Sequence, residues 1–115
     1  MREIIFRGKD VAGNWYYGLL AHIDDCWYIS NAYGIPTAYP VLPETIGQYT
    51  GVKDINDKKI FEGDIIKWQY ECREKYHVIF EDGHFIGVKE YGFISLYDTD
   101  FEVIGNIHDN PEGVQ

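Results

Sequence analysis

An all-β fold is predicted by three features of this 115-residue chain. Turn-forming residues recur at short intervals, apolar residues between them alternate with period two, and no segment keeps a long helical period. Residues 2–9 offer a first strand, with Ile4 and Phe6 opposing Glu3, Ile5 and Arg7. Gly13-Asn14 reads as a turn into a strand over about Trp15 to Ala21, where Trp15, Tyr17 and Leu19 share one face. Asp24-Asp25 is the next polar break, followed by Trp27 and Ile29 on one face. Residues 30–43, with their prolines and Gly34, are expected to form a loop.

Alternation is clearer in the second half. Ile66, Trp68 and Tyr70 alternate with Ile65, Lys67 and Gln69, and Tyr76, Val78 and Phe80 alternate with Lys75, His77, Ile79 and Glu81. Asp82-Gly83 links Lys75–Glu81 to His84–Lys89, and Asp-Gly between β-rich runs is a strong hairpin signal because a type I′ turn needs positive φ twice. Asn56-Asp57 is a weaker hairpin tip, with Asp where glycine is favoured. A last strand spans about Asp100 to Ile107, ended by Asn110-Pro111. Short helical turns are expected at most near Thr45–Tyr49 or Tyr91–Tyr97.

The length suits a single domain, 1–115, with a composition shift that suggests an N-terminal lobe 1–42 and a C-terminal lobe 43–115. Hydrophobic residues make up 45 % and aromatic residues 17 %, which places the chain among globular proteins rich in half-buried or contact-forming rings. Net charge is −9, so phosphate backbones repel the chain as a whole and nucleic-acid binding is disfavoured. Cys26 and Cys72 lack paired spacing and read as reduced thiols of an intracellular protein. The start, MREIIFRGKD, is too charged for a signal peptide, and no apolar run is long enough to cross a bilayer. The expected location is cytoplasmic, with no membrane partner.

A set of ordered motifs carries a resemblance. Arg2-Glu3-Ile4 and Phe6-Arg7-Gly8 open the chain, followed by Trp15-x-Tyr17-Gly18. Then come Pro43-Glu44-Thr45-Ile46-Gly47-Gln48-Tyr49-Thr50-Gly51, Asp54 with Lys58-Lys59-Ile60-Phe61-Glu62-Gly63-Asp64-Ile65, and Glu102-Val103-Ile104-Gly105-Asn106-Ile107. In order and spacing these are similar to the YopX family of phage and prophage proteins of Gram-positive bacteria, over almost the whole chain. Asp57 departs from the glycine usual at that turn. The resemblance implies a mainly β, barrel-type fold of antiparallel strands and a mobile-element origin, and it carries no catalytic residue. The step Phe61-Glu62-Gly63-Asp64, where a tight turn feeds a strand, also has SH3-like character.

Candidate sites are sparse. Lys58 and Lys59 beside Tyr70, Tyr76 and Phe85 would suit a nucleic-acid platform, with Glu62, Gly63 and Asp64 as further binding candidates; the simpler reading makes the rings core and the lysines a solvated hairpin end. Asp98, Asp100 and Glu102 alternate and could gather a hard cation, but a solvated, charged strand face opposite Phe101 and Val103 is the favoured reading. His22, His77, His84 and His108 show no ligand spacing, even if His77 and His84 face each other across the hairpin near Cys72. No metal and no cofactor is therefore expected. Catalytic motifs are missing, so the chain is expected not to be an enzyme, with Glu44, Glu62 and Asp64 the first carboxylates to test. The leading expectation is a non-catalytic protein-interaction module that binds a host or phage protein and assembles with itself. The alternatives are a nucleic-acid-binding barrel using Lys58 and Lys59, or an acidic decoy of a host DNA-binding protein.

Overall fold

Aspartate-closed turns punctuate the chain. The structure, a computed structural model, describes residues 3–30, 37–69, 74–96 and 100–109. Among these residues lie strands β1 (Phe6–Lys9), β2 (Trp15–Ile23), β3 (Cys26–Ser30), β4 (Ala38–Val41), β5 (Gly47–Lys53), β6 (Lys59–Phe61), β7 (Asp64–Trp68), β8 (Lys75–Glu81), β9 (His84–Lys89), β10 (Gly92–Ser95) and β11 (Phe101–Asn106). One turn of 3-10 helix, Pro43–Thr45, completes the described elements. The strands form two antiparallel sheets, ordered β4-β3-β2-β1-β5-β6 and β10-β9-β8-β7-β11. The all-β expectation is met.

Closure into a barrel is not. Each sheet begins and ends on an edge strand. The edges are managed in other ways. β4 carries Pro40, which lacks an amide proton to offer a further strand. β11 has its outer edge occupied: the Val103 N–H donates to Asp54 Oδ2 (3.0 Å) and the Phe101 carbonyl accepts from the Ile55 N–H (2.9 Å).

Packing groups the chain into Met1–Tyr49 and Thr50–Gln115, with the division inside β5. In the first unit Ile29 and Val41 are buried. In the second, Ile60, Ile66, Val78, Phe85, Leu96 and Phe101 form a core edged by Val52, Tyr76, Ile94 and Val103.

Three local expectations change. β4 lies inside the expected loop 30–43, because an edge strand tolerates the proline that spoils a central one. β10 replaces the helical turn expected near Tyr91–Tyr97, pairing Phe93 with Val88 and Ile94 with Gly87. Near Thr45–Tyr49 the 3-10 turn ends at Thr45, and β5 starts at Gly47. Asn110-Pro111 lies outside the described residues.

The Asn56-Asp57 tip is a five-residue turn, Asp54 to Lys58. The Asp54 N–H donates to the Lys58 carbonyl (2.7 Å) and the Asp57 N–H to the Asp54 carbonyl (3.0 Å). Asp57 sits at φ +64°, a left-handed conformation that costs a non-glycine residue roughly 1 kcal/mol. The β1–β2 turn has the same design, Asp10 to Asn14, with Gly13 in the equivalent place at φ +91°.

Candidate functional site: an uncharged sheet face

The first unit has two unlike faces, and its turns decide which residue goes where. Asp10 Oδ1 accepts from the Ala12 N–H (3.0 Å) and the Asn14 N–H (2.8 Å), and Oδ2 accepts from the Tyr16 hydroxyl (3.1 Å). The Asn14 amide leads the influences that lower the Asp10 pKa below the ordinary carboxylate value. Desolvation, then Asp10, raises that of Tyr16. Held this way, Tyr16 stacks on Tyr39 with centroids 4.1 Å apart, on the face that also holds Ile29 and Val41. Further along, His22 stacks on Trp27 at 4.1 Å. Strand alternation then sends Trp15, Tyr17, Leu19, Ala21 and Ile23 to the opposite face.

Register orders that outer face. Arg7 pairs Tyr17 and Lys9 pairs Trp15; Leu19 pairs Ser30, Ala21 pairs Tyr28 and Ile23 pairs Cys26; Tyr28 pairs Pro40 and Ser30 pairs Ala38. Tyr17, Leu19 and Ile23 are 53 %, 53 % and 57 % exposed. β2, β3 and β4 contain no Asp, Glu, Lys or Arg, although the chain has 10 basic and 19 acidic residues. Such a grouping of exposed apolar side chains on one sheet face stands out, because exposed apolar residues are normally scattered singly.

Each end of the face is charged. At one end Arg7, buried at 5 % exposure, holds its guanidinium 4.8 Å from the Trp15 ring centroid, and the ammonium of the half-buried Lys9 lies 5.7 Å from it. The Lys9 N–H is fixed by Thr45 Oγ1 at 2.9 Å. At the other end Asp24 and Asp25, both exposed, turn the chain with φ +51° and +64°. Two successive positive φ values make a turn whose twist suits a tight hairpin.

The residues singled out by sequence are mostly architectural. Lys58 is exposed, and its N–H, like that of Asn56, donates to Asp54 Oδ1 at 2.8 Å. Lys59 is half-buried at the start of β6. Gly63 has φ +93° in the turn between β6 and β7, which glycine adopts without a Cβ penalty, and its N–H donates to the Val78 carbonyl at 2.8 Å. Glu62 is half-buried beside it. Asp64 is 2 % exposed, and its Oδ2 accepts from the Phe61 N–H at 2.7 Å. Phe85 is buried in the core with its ring edge-to-face on Phe80 at 4.9 Å, so it offers no surface for a base to stack on. Tyr76 is half-buried under Lys89, whose ammonium is 5.6 Å from the ring and 2.7 Å from Glu74. Tyr70 lies outside the described residues.

Among the described residues the metal and histidine candidates do not converge. Asp100 Oδ1 accepts from Gln69 Nε2 at 2.9 Å, and Glu102 pairs Lys67 at 3.5 Å; Asp98 and Cys72 lie outside the described residues. His77 opposes Val88 and His84 opposes Glu81, which separates the two rings by roughly 13 Å of strand. Desolvation lowers the His77 pKa and favours its neutral form. His108 lies past β11, its N–H held by Asn106 Oδ1 at 3.0 Å. Among the described residues no three His, Cys, Asp or Glu side chains gather as metal donors. Glu44 is exposed on the 3-10 turn of the first unit. No helix among the described residues is long and apolar enough to cross a membrane.

Sequence reasoning missed the uncharged face. Its signal was present: between Lys9-Asp10 and Glu44 the only charged residues are Asp24 and Asp25.

The family model described as YopX protein matches residues 9–115. The chain belongs to the YopX family. This YopX-family chain is also similar to a crystal structure of protein EF1440 from Enterococcus faecalis, with 25 % identity, a TM-score of 0.64 and full coverage of both chains. No curated protein matches it. Neither description names a reaction or a ligand.

Proposed function

We propose that this YopX-family chain is a non-catalytic protein-interaction module, encoded by a phage or prophage and working in the bacterial cytoplasm, that binds protein through the outer face of β2, β3 and β4. One observation carries the reading: Tyr17, Leu19 and Ile23 stand more than half exposed on strands with no charged residue. Water is displaced from such a surface at little cost, because no ion has to be desolvated. Tyrosine adds a large ring with few rotatable bonds, which is why it recurs where proteins grip one another. Pro40 on the β4 edge argues against recognition by strand addition and for recognition by the face. The net charge of −9 favours a protein over a nucleic acid as the ligand.

A photo-reactive amino acid placed at position 19, compared with one at the exposed Phe93 of β10, tests this in bacterial cells. Position 19 is expected to give nuclease-resistant protein adducts that position 93 does not. No protein adduct from position 19, or adducts lost on nuclease treatment, would overturn the reading.

A further inference from the structure

We propose that the occupant of this face is one short amphipathic helix of a partner protein, its apolar stripe laid across β2, β3 and β4 and a Lys or Arg at its end set against Asp24 and Asp25; this rests on the reading of the face as a protein interface. Three properties of the face select that occupant.

The face is small. From Tyr17 to Ile23, β2 runs roughly 20 Å at the usual strand rise, while β3 and β4 have only five and four residues. With each strand taken at its own length, the face measures about 260 Å² in projection. That is well under the roughly 800 Å² which each side contributes to a standard interface between folded proteins, so a second globular body finds too little to hold here. One helix fits. About 13 residues span 20 Å, and a helix about 10–12 Å across matches the roughly 10 Å from β2 to β4.

The face is also poor in hydrogen-bonding groups. Its outward side chains offer the hydroxyls of Tyr17, Tyr28 and Ser30 and otherwise carbon and sulfur. An extended peptide laid over it would bury its own amides against carbon, which is costly, and strand addition beside β4 meets Pro40. A helix arrives with its backbone already paired and presents side chains alone.

The Ile23–Cys26 end of the face is acidic. Asp24 and Asp25 are both exposed, and among the described residues neither has an ion pair or a side-chain hydrogen bond. In a chain of net charge −9, the helix end that meets this turn carries Lys or Arg, which also fixes the direction in which the helix lies.

Photo-cross-linking from position 19 in bacterial cells, with the adducted residue of the partner mapped by mass spectrometry, tests the proposal. The adduct is expected in a segment with apolar residues at spacings of three and four and a Lys or Arg at one end. A synthetic peptide of that segment should gain helicity on binding the full chain, read by circular dichroism, and a proline at its centre should abolish binding. Leu19→Glu should also abolish it, at an unchanged melting temperature. Asp24→Asn with Asp25→Asn should weaken binding about tenfold without destabilising the fold, because asparagine accepts the left-handed conformation readily. An adduct with a second copy of the chain, or with a strand or loop of another protein, would overturn the helix while leaving the face a protein interface. A peptide that binds without gaining helicity, or equally well after the aspartate changes, would overturn it too. No adduct from position 19 would remove the interface as well.

Discussion

Asp54→Ala is expected to lower stability by about 3 kcal/mol, read as a fall of about 2 M in the urea midpoint with an unchanged slope. Asp54 is only 4 % exposed, yet its carboxylate accepts the N–H groups of Asn56 and Lys58 at 2.8 Å and of Val103 at 3.0 Å. The first two close the β5–β6 turn, and the third caps the edge of β11. Alanine leaves all three donors without that acceptor, and hydrogen bonds to a charged group are each worth roughly 1.5–3 kcal/mol, with solvent access to the turn reducing the sum. Asp54→Asn separates the two jobs. The amide oxygen still serves the turn, while the amide nitrogen meets the Val103 N–H donor to donor, so a loss of about half is expected.

Acid should reveal the same group. Desolvation raises the Asp54 pKa, but the amides of Val103, Lys58 and Asn56, with the Lys58 charge, outweigh it and hold the pKa below the ordinary value. A depressed folded pKa contributes stability above the unfolded value, about 3.9, and that stability is lost as pH falls through the folded pKa. The wild type should therefore lose more stability than Asp54→Ala on acidification below about pH 4. Identical urea midpoints for wild type and Asp54→Ala at neutral pH would contradict the role assigned to this carboxylate.

Gly18→Ala is the second large effect. A Cβ at position 18 would lie 2.1 Å from the Ser30 carbonyl oxygen, far inside contact distance, and the obstructing atom is backbone rather than a mobile side chain. β2 and β3 must separate or tilt, at a cost of about 3 kcal/mol. Gly83→Ala supplies the comparison. Its φ of +85° strains an alanine, but nothing lies within 4 Å of the added atom, so a loss of about 1 kcal/mol is expected. Thermal melts should show Gly18→Ala falling well below Gly83→Ala. Because Gly18 sits between Tyr17 and Leu19, the substitution should also reduce binding at the outer face. Equal melting temperatures for the two variants would mean that β2 and β3 do not approach as described.

Much of this fold is local and was legible for that reason. Asp82 and Gly83 take φ +52° and +85°, as an Asp-Gly hairpin turn requires. In β8 the alternation sets the buried Val78 on the face of the half-buried Tyr76, whereas β9 buries Phe85, Ile86 and Gly87 in succession and shows no alternation. Two strands escaped because short edge strands are defined by their neighbours and not by their own residues: Ala38–Val41 contains a proline, and Gly92–Ser95 follows a turn that can be read as helical. The reach of Asp54 to Val103 spans 49 positions, and no local pattern encodes it.

The candidate face was half legible. The lack of charge across β2, β3 and β4 is plain in the sequence, but both alternating sets in Trp15–Ile23 are apolar or aromatic. Period two therefore names two faces without saying which is wet. What decides is the pairing that buries Ile29 and Val41 on one side. Lys58, Lys59, Gly63 and Asp64 drew attention for a different physical reason, since turn chemistry leaves a denser sequence signature than a flat binding face.

Hydroxyl-radical footprinting of the full chain, in its free and associated states, tests the central claim most directly, because it reads single side chains. On association the oxidation of Tyr17, Leu19 and Tyr28 should fall several-fold, while Tyr91 and Phe93, exposed at 86 % and 69 %, keep their free-state rates. Unchanged oxidation of Tyr17, Leu19 and Tyr28 with protection of Tyr91 and Phe93 would place the interface on the β9–β10 hairpin and contradict the account.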